Sequence, residues 1–152
     1  MLVKEANSPY YVFLDEADEV YDTYIQDLIL QWSELKKNAV VTACDSKYFK
    51  SCLTLITSLY KHSDNDIDTI YVFNLGLSED EQCAFIKLKK VKFKSMLDIL
   101  EYTKDIRINF PNFLVPYQFA YKSWFIRYVF EHSDIENVFW IDSGIAYRRW
   151  FC

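Results

Sequence analysis

Two acids in this chain stand where an apolar run of strand type stops. Val40-Val41-Thr42-Ala43-Cys44 runs into Asp45-Ser46, and Val138-Phe139-Trp140-Ile141 runs into Asp142-Ser143-Gly144. In an open parallel sheet both strand ends lie along the carboxyl edge, where α/β folds gather their ligands. A carboxylate there can ligate a divalent cation that also binds phosphate oxygens. It can equally cap the next helix or brace a turn. Capping competes at Asp45, which precedes Ser46-Lys47-Tyr48, and the turn role competes at Asp142, beside Gly144.

Glycine is scarce, with only Gly76 and Gly144 in 152 residues, each following a strand-like run. A G-x-G-x-x-G turn and a P-loop both need several glycines to bring backbone amides against phosphate, so both are excluded. Any phosphate bound by this sheet has to be neutralised by a metal on carboxylates or by basic side chains. Val12-Phe13-Leu14-Asp15-Glu16-Ala17-Asp18 imitates the acidic motif of DEAD-box helicases, but no phosphate loop precedes it. The acids read instead as the start of a helix.

Other chemistry finds little support. The cysteines, Cys44, Cys52, Cys83 and Cys152, form no C-x-x-C pair, and reduced, mostly buried thiols are expected. The only two histidines fall in a repeated His-Ser-Asp, at His62 and His132, each where a helix should end, which suits a side chain bonding the last carbonyls. The net charge of −5 provides no broad basic field for nucleic acid. Lys90, Lys92 and Lys94 alternate with Val91 and Phe93, as on the outer face of a short strand. The start lacks the order of a secretory signal and no apolar run is long enough to span a bilayer, so a soluble, cytoplasmic chain without a membrane span is expected.

Stepping outward from the two acids, apolar spacing predicts an amphipathic helix over Asp15 to Lys37, with acids at its start and Lys36 and Lys37 at its end. From Ala39 onward, strands and helices alternate. Strands are expected at Ala39–Cys44, Thr69–Leu75, Val91–Phe93 and Val138–Ile141. Helices are expected at Ser46–His62, Ser78–Leu88 (opened by a Ser78/Glu81 capping box), Met96–Tyr102 and Tyr121–His132, with a loop over Asn109–Gln118. This order implies an α/β fold with a mainly parallel sheet flanked by helices. The expected organisation is an N-terminal extension over 1–38 and an α/β domain over 39–152.

The run Thr42-Ala43-Cys44-Asp45-Ser46-Lys47-Tyr48, the helix carrying Leu55-Ile56-Thr57-Ser58-Leu59 and the strand Ile70-Tyr71-Val72-Phe73 together resemble the opening of GT-A nucleotide-sugar glycosyltransferases, especially family 8, which includes glycogenin. Tyr121-Lys122-Ser123-Trp124 looks like the segment before the strand that bears the Asp-x-Asp motif, and Val138 to Gly144 falls where that motif belongs. The resemblance implies a GT-A-like, Rossmann-like fold. It implies that Thr42, Ala43, Asp45 and Tyr48 hold the base and ribose of the donor, that Lys122 meets a phosphate, and that Asp142 ligates Mn²⁺ or Mg²⁺. Gly144 stands where the motif has its second acid.

The expected function is therefore binding of a nucleoside diphosphate sugar, a uridine one by the resemblance, and transfer of its hexosyl group to a carbohydrate or other hydroxyl acceptor. No nucleophile or general base is singled out. The chain ends at Tyr147-Arg148-Arg149-Trp150-Phe151-Cys152, before the acceptor-binding half of a GT-A enzyme. A truncated donor-binding half, with a partner covering its C-terminal edge, is the matching expectation. The alternative is a non-catalytic α/β binding or assembly module.

Overall fold

The fold is available as a computed structural model that describes residues 2–3, 10–14, 37–115 and 119–144. Its strands are β1 (Leu2–Val3), β2 (Tyr10–Leu14), β3 (Asn38–Cys44), β4 (Thr69–Asn74), β5 (Val91–Lys94) and β6 (Asn137–Ile141). Its helices are α1 (Phe49–Ser63), entered through a 3₁₀ turn at Ser46–Tyr48, α2 (Glu79–Ile86), α3 (Met96–Tyr102), α4 (Lys104–Asn109) and α5 (Tyr121–His132). The helix expected over Asp15 to Lys37 and the chain after Gly144 lie outside the described residues, apart from Lys37.

The strands form a single sheet in the order β1-β2-β6-β3-β4-β5. Every neighbouring pair from β2 to β5 is parallel, and β1 alone runs antiparallel to β2. From β3 the chain steps to β4 and β5 on one side, then crosses back to place β6 on the other. The reversal puts the switch point, where open α/β sheets bind ligands, between the carboxyl ends of β3 and β6. The arrangement is compatible with a Rossmann-like fold.

The near-continuous apolar strands follow from helices on both faces. Val40, Cys44, Ile70, Val72, Phe139 and Ile141 pack with Cys52, Leu55, Ile56 and Leu59 of α1 and Phe85 of α2. On the opposite face Val41, Ala43, Phe73, Val138 and Trp140 meet Ile99 of α3 and Phe125, Ile126 and Val129 of α5. That second face is aromatic: Phe73 stacks on Phe125 at 4.1 Å between ring centroids. Each large side chain buried this way contributes about 1.5–3 kcal/mol.

A buried amide pair sets the register of the two central strands. Asn137 Nδ2 donates to Asn38 Oδ1 at 2.9 Å, Asn38 Nδ2 donates to the Asp66 carbonyl at 3.0 Å, and the Asn38 backbone N–H donates to Asp68 Oδ2 at 2.8 Å. Asn38 thus pairs with Asn137 and Val41 with Trp140, so Asp142 comes level with Ala43. A slip by one residue would unpair both amides and turn Asp142 to the other face.

Residues before 38 contribute β1 and β2 to the same sheet, because β2 pairs along its whole length with β6, over a hundred residues away. Local alternation carries no trace of such a pairing. α4 follows α3 after Thr103 alone and takes Asn109 out of the expected loop. The reciprocal capping box lies at Ser95 and Asp98, ahead of α3. At Ser78 the hydroxyl accepts the Glu81 backbone N–H, and the Glu81 carboxylate instead accepts hydroxyl protons from Ser78 and Ser46. Both histidines occupy last helical turns as expected, and His132 Nδ1 lies 2.9 Å from the Tyr128 carbonyl. Phe93 of β5 packs on Phe85, while Lys92 and Lys94 lie over the Tyr71 and Tyr128 rings on the other face.

Candidate functional site at the carboxyl edge

Asp45 closes β3 as a cap. Its Oδ1 accepts the Tyr48 backbone N–H at 3.2 Å, which turns the chain into the 3₁₀ turn and on into α1. The turn is latched to the loop after β4: the Ser46 backbone N–H donates to the Gly76 carbonyl at 3.0 Å, and the Ser46 hydroxyl lies 2.8 Å from Glu81 Oε1. Gly76 has φ +132°, a conformation that side chains with a Cβ rarely adopt. Asn74 Oδ1 supports it by accepting the N–H groups of Gly76 and Leu77, both at 2.8 Å. The result is an exposed polar rim in which Ser46 and Lys47 face solvent and Tyr48 is half-buried.

Asp142 closes β6 in different surroundings. Lys122 Nζ, from the first turn of α5, lies 3.0 Å from Asp142 Oδ1 and 3.1 Å from Oδ2. The side chains of this pair are only 6% and 15% exposed. Trp140 stands two residues before Asp142 on the same face of the strand, and its indole N–H donates to Oδ1 at 2.7 Å. The Lys122 ammonium also lies over the rings of Phe119, 4.6 Å from the centroid, and Trp140, at 5.8 Å. Phe119 is 55% exposed and has φ +57°, an uncommon conformation for a bulky residue. Next along the chain, buried Ser143 donates from its hydroxyl to the Ala43 carbonyl at 2.9 Å and ties the end of β6 to β3.

The candidate residues fall into groups. Ala43, Lys122 and Asp142 come together on the α5 face of the sheet edge, whereas Asp45 caps the turn that follows β3 and Tyr48 packs against the core on the α1 face. Thr42 does not join them: alternation places it with Val40 and Cys44 on the α1 face, wholly buried, with no hydrogen-bond partner for Oγ1. Its backbone, not its hydroxyl, is what lies near the edge. Trp140, Ser143, Phe119 and Gly76 received no role from the sequence. Trp140 was legible in principle, since residues two apart on a strand share a face. The placement of Phe119 over a lysine three residues on left no local signal.

Fit to a divalent cation can be judged from these contacts. Both Asp142 oxygens already face an ammonium, and Gly144 brings no second carboxylate. Among the described residues no three His, Cys, Asp or Glu side chains converge. A doubly charged ion on Asp142 would have to displace Lys122 and then sit near it; at about 4 Å and an effective dielectric of about 20 the repulsion is about 8 kcal/mol. In this arrangement the residues do not fit the metal that the resemblance implies. Thiol chemistry fits no better, because hydrogen bonding with Cys44 and then burial push the Cys52 thiol well above its ordinary pKa.

Among the described residues no helix is long and apolar enough to cross a membrane. The candidate site is a sheet edge with an exposed polar rim after β3 and a nearly buried ion pair with aromatic neighbours after β6. Comparison with protein-family models, curated proteins and solved structures gives no match to this chain, so its function has to be argued from this edge.

Proposed function

We propose that the carboxyl edge of β3 and β6 binds a nucleoside diphosphate sugar, with transfer of the hexosyl group to a hydroxyl acceptor as the reaction. One observation carries the reading. The switch point of a parallel sheet brings the Asp45–Tyr48 rim and the Lys122–Asp142 pair to the same edge, with Ser143 bonded to Ala43 between them. In this reading the base and ribose lie on the rim formed by Ala43, Asp45 and Tyr48, and the diphosphate lies toward Lys122.

The chemistry asked of these residues is modest. The bond between the anomeric carbon and the diphosphate oxygen breaks, the acceptor oxygen takes its place, and the acceptor proton leaves to solvent or to the departing phosphate. What the chain supplies is positioning and a buried positive charge where negative charge develops. A charge held in place by Asp142 and Trp140 costs little reorganisation at that moment.

The test is titration calorimetry of the purified chain with uridine diphosphate and with other nucleoside diphosphates, on wild type and on Tyr48→Ala. Saturable binding weakened several-fold by Tyr48→Ala supports the reading. Absence of heat with every nucleoside diphosphate at millimolar concentration would refute it.

A further inference from the structure

We infer that Asp142 is the counter-ion of Lys122 and not a metal ligand, so that diphosphate binding at this edge proceeds without a divalent cation, the Lys122 ammonium serving as the site's cation beneath a Phe119 cover. The inference rests on the donor-site reading above and names how that site takes its anion.

Lys122 sits in the first turn of α5, where the helix dipole disfavours a cation and favours an anion. The N-terminus of α5 receives no side-chain cap: Ala120 is the cap residue and no acid lies in the first turn. Burying a lysine there is unfavourable on two counts, and a nearly buried carboxylate on β6 offsets both. That carboxylate is itself held, by the Trp140 indole at 2.7 Å. The triad therefore fixes the Lys122 amine at a defined point of the sheet edge. An anion approaching from the α5 side gains the ammonium's charge together with the positive end of the helix dipole.

Phe119 is what stands in the way. Its ring lies 4.6 Å from the ammonium, mostly exposed, on a backbone with φ +57°. A bulky side chain held in the left-handed region is a costly arrangement, and here it covers the charge from solvent. Swinging the ring aside would bring a phosphate toward the positive charge of Lys122 while Asp142 stays beside it. A metal on Asp142, by contrast, requires that the pair be broken.

Titration of the intact chain with uridine diphosphate in EDTA and in millimolar Mn²⁺ decides the matter. Affinities within about threefold of each other are expected. Affinity at least tenfold higher in Mn²⁺ overturns this inference while leaving the donor site standing, whereas no binding in either buffer removes both. Removing Lys122 alone would take the ammonium from a nearly buried carboxylate and risk unfolding, so the variant to use is the double substitution Lys122→Met with Asp142→Leu, its fold checked by circular dichroism. It should bind uridine diphosphate in EDTA at least tenfold more weakly than wild type; unchanged affinity overturns the proposal. Phe119→Gly, which removes the cover and relieves the backbone, should bind at least as tightly as wild type, and a tenfold loss would show that the ring is part of the site and not its lid.

Discussion

Two strands of this sheet end in the same dipeptide, Asp-Ser, and the structure uses the two copies in opposite ways. At the end of β3 the acid caps a 3₁₀ turn and the serine faces solvent, bonded to the loop after β4. At the end of β6 the acid is paired with a buried ammonium and the serine is buried against β3. The dipeptide does not decide the outcome; what packs above each strand end does. The 3₁₀ turn that leads into α1 begins directly after Asp45 and takes its cap, whereas α5 approaches Asp142 from another part of the chain and brings Lys122 with it. A free-standing cap is local and modest in energy, while a buried pair is non-local and fails badly when half of it is lost.

That contrast can be broken most forcefully at Lys122. Lys122→Met leaves Asp142 without its ammonium in a nearly closed site and should destabilise the chain by about 3–5 kcal/mol, read as a lower midpoint of urea unfolding at neutral pH. The double replacement with Asp142→Leu should restore part of that loss, the remainder reflecting the Trp140 indole left without its acceptor. If the single change were as mild as the double, the pair would not be the strut described here. Trp140→Phe keeps an aromatic ring but removes the indole donor and part of the buried volume, so the cost expected is at least that of a hydrogen bond to a charged group, about 1.5–3 kcal/mol by the same assay.

The β3 end should respond more gently. Asp45→Ala removes the cap and should cost about 1 kcal/mol, with loss concentrated in the hydrogen-exchange protection of the first turns of α1. The matched serine changes give the finest comparison. Ser143→Ala leaves the Ala43 carbonyl without its buried donor and should cost about 1–3 kcal/mol, whereas Ser46→Ala, at an exposed position, should fall within about 0.5 kcal/mol of wild type. Equal effects at the two serines would erase the distinction between the two strand ends.

Much of this fold was legible in the chain. The alternation of apolar runs with helical periodicity gives β3 to β6, the main helices and a mainly parallel sheet, since each signal is local to the element that carries it. The acids at the two strand ends were legible for the same reason. β2 was not, because its pairing with β6 is set across most of the chain. Nor was α4, a short helix held by its neighbours. At the carboxyl edge, Asp45 and Asp142 could be placed from position alone, but Thr42 is buried on the α1 face and Tyr48 packs against that same face. Counting along an alternating strand separates Thr42 from Ala43; only the packed sheet says which face belongs to the site.

By itself the sequence determined that an α/β sheet would present acids at its carboxyl edge and that backbone glycine loops could not bind phosphate there. Both follow from short-range facts: strand periodicity, turn chemistry and the presence of only Gly76 and Gly144. The tertiary structure alone decided what those acids do. The 20-residue separation of Lys122 and Asp142 carries no pairing signal, yet the register fixed by Asn38 and Asn137 and the packing of α5 on the sheet bring their charges to 3.0 Å. A carboxylate readable as a metal ligand became the counter-ion of a lysine, because the partner of a buried charge is chosen by the fold and not by the residues beside it.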